Sequence, residues 1–323
     1  MRFFTALLAW LPRAVVMLAA IGLLNFSLIR MAPGDPAAVL AGESGASDEA
    51  FVARIRSDYG LDRPMVEQVV TYLGRLAVLD LGISYRTQRP VAEVILERMP
   101  ATLLLALPAM LLAIVVGTSL GTVAATRAGT GWDSTITAVA MLCYATPVFW
   151  VGLLFVLAFS VALPLFPAFG MAGFIKKTGI AGIMDTLHHL VLPTLTLALF
   201  HMAVYVRVAR AATLEVLGRD FVRTARAKGL APGQVLRRHV LRNAVLPTVT
   251  LAGLQTGQLL GGAVVVESVF AWPGIGRLAF DALMQRDYNV ILGVFFMTSA
   301  MVLVANLLTD VALRGIDPRI GSD

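Results

Sequence analysis

Six stretches of the chain contain no Asp, Glu, Lys or Arg: Ala14–Ile29, Ala101–Thr126, Ser134–Ile175, Leu190–Val206, Asn243–Val266 and Asn289–Thr309. About 20 mostly apolar residues suffice for a helix to cross a bilayer, where each backbone polar group has to be satisfied within the segment. The pattern therefore predicts an all-α membrane protein with six spans. Composition agrees, with 14% of residues charged and 58% hydrophobic, against about 25% charged in soluble domains. The third stretch is 42 residues long and has room for two spans. Pro164 and Pro167 break a helix there, so we read one span over about 135–163, kinked at Pro147 and followed by an outer loop. The first stretch is short, but Phe3–Pro12 is also apolar and lets the helix begin earlier. A cleaved signal peptide is the rival reading of this N-terminus; the spans that follow favour a retained first helix.

Lys and Arg in short loops set the orientation of such a chain. From Arg207 to Arg242 there are nine basic residues (Arg207, Arg210, Arg219, Arg223, Arg226, Lys228, Arg237, Arg238, Arg242) and two acids, Glu215 and Asp220. That segment carries all of the formal net charge of +6, so the basic balance does not describe a nucleic-acid-binding surface. It places the segment in the cytoplasm, and six spans then place both termini inside. Arg2, Arg13, Arg127, Arg314 and Arg319 agree. The 31–99 loop falls outside with seven basic and ten acidic residues; its length exempts it from the rule. Ser47-Asp48-Glu49 reads as a helix start with an end at Gly60. A second helix follows Asp62, with Pro64 in its first turn, to about Leu79. "RPVAEVILERMP" (89–100) suits a helix lying at the membrane surface. The loop is thus a small folded cap, either docking a partner or serving as structure. The divisions are an N-terminal segment with span 1 (1–30), the periplasmic cap (31–99), a core of spans 2–6 (100–312) with a cytoplasmic hairpin at 219–242, and a cytoplasmic tail (313–323).

Several chemistries are missing from the sequence. There is no GxxxxGK[ST] phosphate loop, no HExxH and no GxSxG. The single cysteine, Cys143, excludes an internal disulfide and a Cys-based zinc site. His189 and His201 are 12 residues apart, about 18 Å along a helix, and cannot share a metal there. No ionisable residue lies deep in a span; Glu267 and Asp310 lie at span ends. A proton-coupled carrier or an intramembrane hydrolase needs such groups, so neither a self-contained secondary transporter nor a membrane enzyme is favoured. The spans do carry small residues at close-packing intervals: Gly253, Gly257 and Gly261 in span 5, Gly117 and Gly121 in span 2. These serve ordinary packing or let span 5 slide on a partner, turning Gln255, Thr256 and Gln258 toward an aqueous path.

The hairpin has a regular plan. Arg219, Arg223 and Arg226 share one helix face, Gly229 ends the helix, Pro232 opens the next, and that helix runs to about Arg242. Pro247 opens span 5. Such a helix–Gly–helix knob fits a cleft on a cytoplasmic partner, whereas a merely solvated loop needs no such geometry.

"FVRTARAKGLAPGQVLRRHVLRNAVLP" (221–247) resembles the cytoplasmic coupling loop of ABC importer permeases, with the pattern EAA-x3-G-x9-IxLP. Arg223-Thr224-Ala225 occupies the EAA positions and Gly229 the glycine. His239-Val240-Leu241-Arg242 stands at IxLP, where only Leu241 matches, and Leu246-Pro247 follows. "RMAPGDPA" (30–37), "DYGLDRPM" (58–65), "DLGIS" (80–84), "ESVFAWPGIGRLAFDAL" (267–283), "RDYNVI" (286–291) and "DPRI" (317–320) are similar to the peptide/nickel importer subfamily. The resemblance implies the type I ABC importer permease fold and a non-catalytic subunit of the bacterial inner membrane. It implies as partners a second homologous permease, two cytoplasmic ATPases, a periplasmic substrate-binding protein and membrane lipid. ATP and Mg would be bound by the ATPases, and no cofactor by this chain. Arg223, Thr224, Ala225, Lys228, Gly229 and Leu230 would form the coupling site. Peptides are the expected cargo, with nickel or glutathione as alternatives; "MAGFIKKTGIAGIMDTL" (171–187) looks like an insertion of dipeptide-type members.

Overall fold

The computed structural model describes residues 2–31, 63–84, 86–173, 175 and 177–316. The helix expected from Ser47 to Gly60 lies outside the described residues. The chain forms two compact units, one made of Met1–Arg98 with Leu278–Val304 and the other of Met99–Arg277 with Ala305–Asp323.

In the first unit, α1 (Arg2–Met31) packs against α2 (Met65–Ala77). Pro64 sits at the N-cap of α2 rather than inside its first turn, where its missing N–H costs nothing. The segment after α2 is tied to the start of α12 (Tyr288–Ile316). Ser84 Oγ donates to Asp287 Oδ2 at 2.6 Å, with both residues buried. Asn289 Nδ2 donates to the carbonyl of Ile83 at 2.8 Å, and an antiparallel bridge pairs Ile83 with Pro90. "DLGIS" and "RDYNVI" are thus two halves of one hydrogen-bonded strap. Asn25 of α1 donates to Leu292 O at 3.2 Å and ties the first helix to α12.

The surface helix expected over 89–100 is not a separate element. It is the beginning of α3, which runs unbroken from Val91 to Thr126 with Pro100 and Pro108 inside it. A proline removes one hydrogen bond and crowds the turn before it, yet helices of membrane proteins tolerate this where neighbours satisfy the freed groups. Beside Pro100, the indole N–H of Trp272 donates to Ala101 O at 2.8 Å.

The third expected span is sharply bent. α4 (Gly131–Ala145) and α5 (Val148–Phe155), which continues as a π-helix over Val156–Ala162, meet at 102°. The break falls at Thr146-Pro147, and Thr146 is extended (φ −84°, ψ 132°), as expected of a residue ahead of proline. This is far more than a kink. Among the described residues four helices are long and apolar enough to cross a membrane: Trp10–Leu28, Val91–Thr126, Gly179–Leu217 and Tyr288–Val311; the bent pair would be a fifth. The expected span 5 corresponds to α10 (Leu246–Val269).

The second unit is organised around α6 (Gly179–Leu217), which packs against α4, α5 and α10. Leu105, Ala109, Ala113, Leu192, Leu197, Val266 and Phe270 are among its buried core. Small residues permit close backbone approach. A Cβ on Gly117 would stand 2.7 Å from Tyr205 Cβ and 2.8 Å from Met202 O, and one on Gly121 would run into Val206 O. A Cβ on Gly253 would collide with Thr309.

Candidate functional site: the 219–242 hairpin

The residues after α6 fold into a knob with a core of its own. α7 (Asp220–Ala227) turns Val222 and Ala225 inward. α8 (Pro232–Val235), a π-turn over Leu236–Val240 and α9 (Leu241–Ala244) contribute Val235, Val240 and Ala244. Ala212 of α6 closes the cluster, with Leu217, Leu230 and Leu236 at its edge. Between the arms, Gly229 adopts φ +78°, a left-handed conformation that costs a non-glycine L-residue about 1 kcal/mol or more. Among the described residues, its two chain neighbours aside, nothing lies within 4 Å of where its Cβ would be, so the tip is sterically open.

Of the residues singled out in the sequence, Arg223, Thr224, Lys228 and Gly229 are exposed at or near the tip and Leu230 is half-buried. Ala225 is 5% exposed and faces the knob's own core. Its small side chain keeps the arms together instead of presenting a surface outward. On α10, Gln255 is buried at 7% exposure and Gly253 packs on Thr309; the side chains of Thr256 and Gln258, and Gly261, lie outside the described residues.

Charge is partitioned within the segment. Arg219 pairs with Glu215, Arg223 with Asp220 at 3.6 Å. Arg210 grips Asp133 with two bonds, Nε to Oδ1 at 2.6 Å and Nη2 to Oδ2 at 2.8 Å. Asp133 also accepts the N–H of Gly129 at 3.1 Å. The loop before α4 is thereby bolted to α6 about two turns above the knob.

A second polar cluster was not recognised as such in the sequence. Glu267, in the last turn of α10, is 0% exposed. It accepts the hydroxyl of Thr102 at 2.7 Å and the N–H of Arg277 at 2.9 Å. Thr102 Oγ1 in turn accepts from Ile275 N at 2.8 Å. The Arg277 guanidinium closes the loop on Ala271 O at 2.6 Å. The signal was present in "ESVFAWPGIGR", where a carboxylate, a tryptophan and two glycines crowd a span end. His189 and His201 are buried along α6, and His189 Nδ1 pairs with Asp185 O at 2.8 Å; among the described residues no group of three or more His, Cys, Asp or Glu is placed to hold a metal.

An all-helical core packed around one long helix, with a helix–Gly–helix knob between two apolar helices, is the architecture of an ABC importer permease. A chain from an inward-facing crystal structure of the MetNI methionine ABC transporter superposes with a TM-score of 0.55 at 18% identity, over 69% of this chain and 96% of that one; at that identity the likeness concerns the fold. Residues 117–322 match the model of the family described as binding-protein-dependent transport system inner membrane component, and residues 3–106 match its N-terminal membrane component. The chain belongs to this family of membrane permease components. It is 40% identical over 318 residues to the dipeptide transport system permease protein DppB of Escherichia coli K12, covering 93% of this chain and 94% of that one. The di/tripeptide transport system permease protein DppB of Pseudomonas aeruginosa UCBPP-PA14 is 40% identical over 313 residues, 92% of this chain and 93% of its own length. The oligopeptide transport system permease protein AppB of Bacillus subtilis 168 is 38% identical over 310 residues, 95% and 96% respectively. The chain is therefore a multi-pass membrane subunit and not the catalytic part of its machine; permeases of this kind work with ATPases and a substrate-binding protein.

Proposed function

We propose that this chain is one of two homologous permeases of an ATP-driven peptide importer. Its 219–242 hairpin docks in a cleft of a cytoplasmic ATPase subunit, one of two, which binds the ATP and Mg. A periplasmic binding protein delivers the peptide. The relatives' names favour peptides over nickel or glutathione as cargo. Both termini lie in the cytoplasm, the cap over 31–99 faces the periplasm, and the chain makes six passes. The single observation that carries coupling is the knob itself. It has its own buried core, an open left-handed glycine at its tip and a direct covalent link at each arm to a long helix. Force applied at Arg223, Thr224, Lys228, Gly229 and Leu230 reaches α6 and α10 because Ala225 and its neighbours make the arms one body. Gln255, Thr256 and Gln258 are retained as candidates for the polar side of the pathway through α10.

Gly229→Asp tests this. Aspartate tolerates positive φ better than most residues, so the knob should still fold and the chain still insert. The carboxylate would protrude into the docking cleft. The expected result is loss of ATPase recovery on purification and of substrate-stimulated hydrolysis. Full peptide uptake by a normally assembled complex would refute the coupling role.

A further inference from the structure

We propose that the second arm of the hairpin binds the phosphate headgroup of an anionic phospholipid of the inner leaflet, through Arg238 and Arg242 with Arg237 beside them. The inference builds on the cytoplasmic placement of the hairpin given above.

Three observations lead there. The first is the distribution of ion pairs. Around the knob the acids Glu215, Asp220 and Asp133 are committed to Arg219, Arg223 and Arg210. Arg237, Arg238 and Arg242 are exposed and, among the described residues, form no ion pair. Three guanidiniums close in sequence repel one another unless an anion from elsewhere lies between them. The second is local geometry. The π-turn Leu236–Val240 carries Arg237 and Arg238, while Val235, Val240 and Ala244 point into the knob's core. The basic side chains are thus turned away from the knob. π-turns are rare and mark functional positions often.

The third is depth. Leu241 and Val245 are both αR, so the arm continues into α10, whose first residue is Leu246. Arg242 is then about 6 Å and Arg238 about 12 Å below the start of the apolar helix. The headgroup layer on one side of a bilayer is about 5–8 Å thick. Arg242 stands in that layer and Arg238 reaches it by snorkelling. The guanidinium fork offers two parallel N–H donors to phosphate oxygens. Arg223 and Lys228, at the tip, stand too far along the arm for this. An acidic face of the ATPase is the competing occupant, and the experiment separates the two.

The assembled transporter, in detergent, would be titrated with phosphatidylglycerol or phosphatidylcholine and the bound lipid counted by native mass spectrometry. Wild type should retain phosphatidylglycerol selectively. Arg238→Gln with Arg242→Gln should weaken that binding by about 30-fold, from about 1 kcal/mol per basic residue near an anionic surface. The same complexes in vesicles of phosphatidylcholine with 30% phosphatidylglycerol, against phosphatidylcholine alone, should show that the variant has lost its response to anionic lipid while retaining its ATPases. If the double variant does not assemble, each single variant should show an intermediate loss. Undiminished phosphatidylglycerol binding in the variants would overturn the proposal, as would ATPase loss with lipid binding intact. Gly229→Asp is read independently: it should release the ATPases and keep the lipid, so failure of the coupling reading and failure of this one give different results.

Discussion

Glu267 is a carboxylate that the fold of the second unit shuts away from water and supplies with donors. It is fully buried and receives donors from Thr102 and Arg277, joining α3 to the first turn of α11 (Ile275–Met284). Removing an acceptor from buried donors costs about 1–3 kcal/mol for each group left unpaired. Glu267→Leu should therefore lower the thermal midpoint of the purified subunit markedly, whereas Glu267→Gln, which keeps one acceptor oxygen, should lower it less. Gly274 gives a second handle, because a Cβ there would run into the Glu267 carboxylate. Gly274→Ala should cost stability alone and little once Glu267→Ala has cleared the space. Additive losses in that cycle would mean that the contact does not govern the site. In the sequence Glu267 looked like a charge at a span end, since burial depends on where Trp272 and Gly276 fold back, and chain order does not reveal that. Gly229 was legible for the opposite reason: a helix end and a helix start flank it, and both are local.

At the scale of elements, the apolar runs located α1, α3, α6, α10 and α12 because membrane solvation is a local property of the chain. Their ends were harder to read. α6 begins at Gly179 and ends at Leu217, well beyond the uncharged run Leu190–Val206, because Asp185 and Arg210 find partners and need not end the helix. Lys177 Nζ donates to Asp185 Oδ1 at 3.2 Å, as does Gly173 N to Oδ2 at 2.7 Å. Proline misled in both directions. Pro100 does not interrupt α3, and Pro147 turns the chain by 102° rather than kinking it. The Arg210–Asp133 pair is the ion pair among the contacts between α4 and α6, which also include the stacked rings of Tyr144 and Phe200. Its side chains are 33% and 8% exposed, so water screens it only in part. A double-mutant cycle with Asp133→Asn and Arg210→Gln should yield a coupling of about 0.5–3 kcal/mol in thermal or denaturant unfolding. A coupling near zero would show that the two helices are held by packing alone.

For the whole molecule the decisive quantity is sidedness. Charge asymmetry between loops, with nine basic residues in the 207–242 segment, is a rule about insertion and not about folded contacts. The topology can be tested with single cysteines at the hairpin tip, in 31–99 and at each terminus, after replacement of Cys143. A membrane-impermeant maleimide should label the 31–99 site from outside, and the hairpin and termini only after the membrane is opened. Labelling of the hairpin from outside would invert the topology.

The seam at Gly117 and Gly121 has a consequence of another kind. No side chain of α3 stands between its backbone and that of α6 at either position, so neither a lipid tail nor a file of water fits between the helices there. A membrane that stores an ion gradient loses it through any crevice, and a carrier for bulky polar cargo has to shift its helices without opening one. Two glycines a turn apart hold that seam shut by leaving nothing to wedge the helices apart. Alanine at both should make the wall leak, visible as faster collapse of an imposed pH difference across vesicles that contain the transporter at rest.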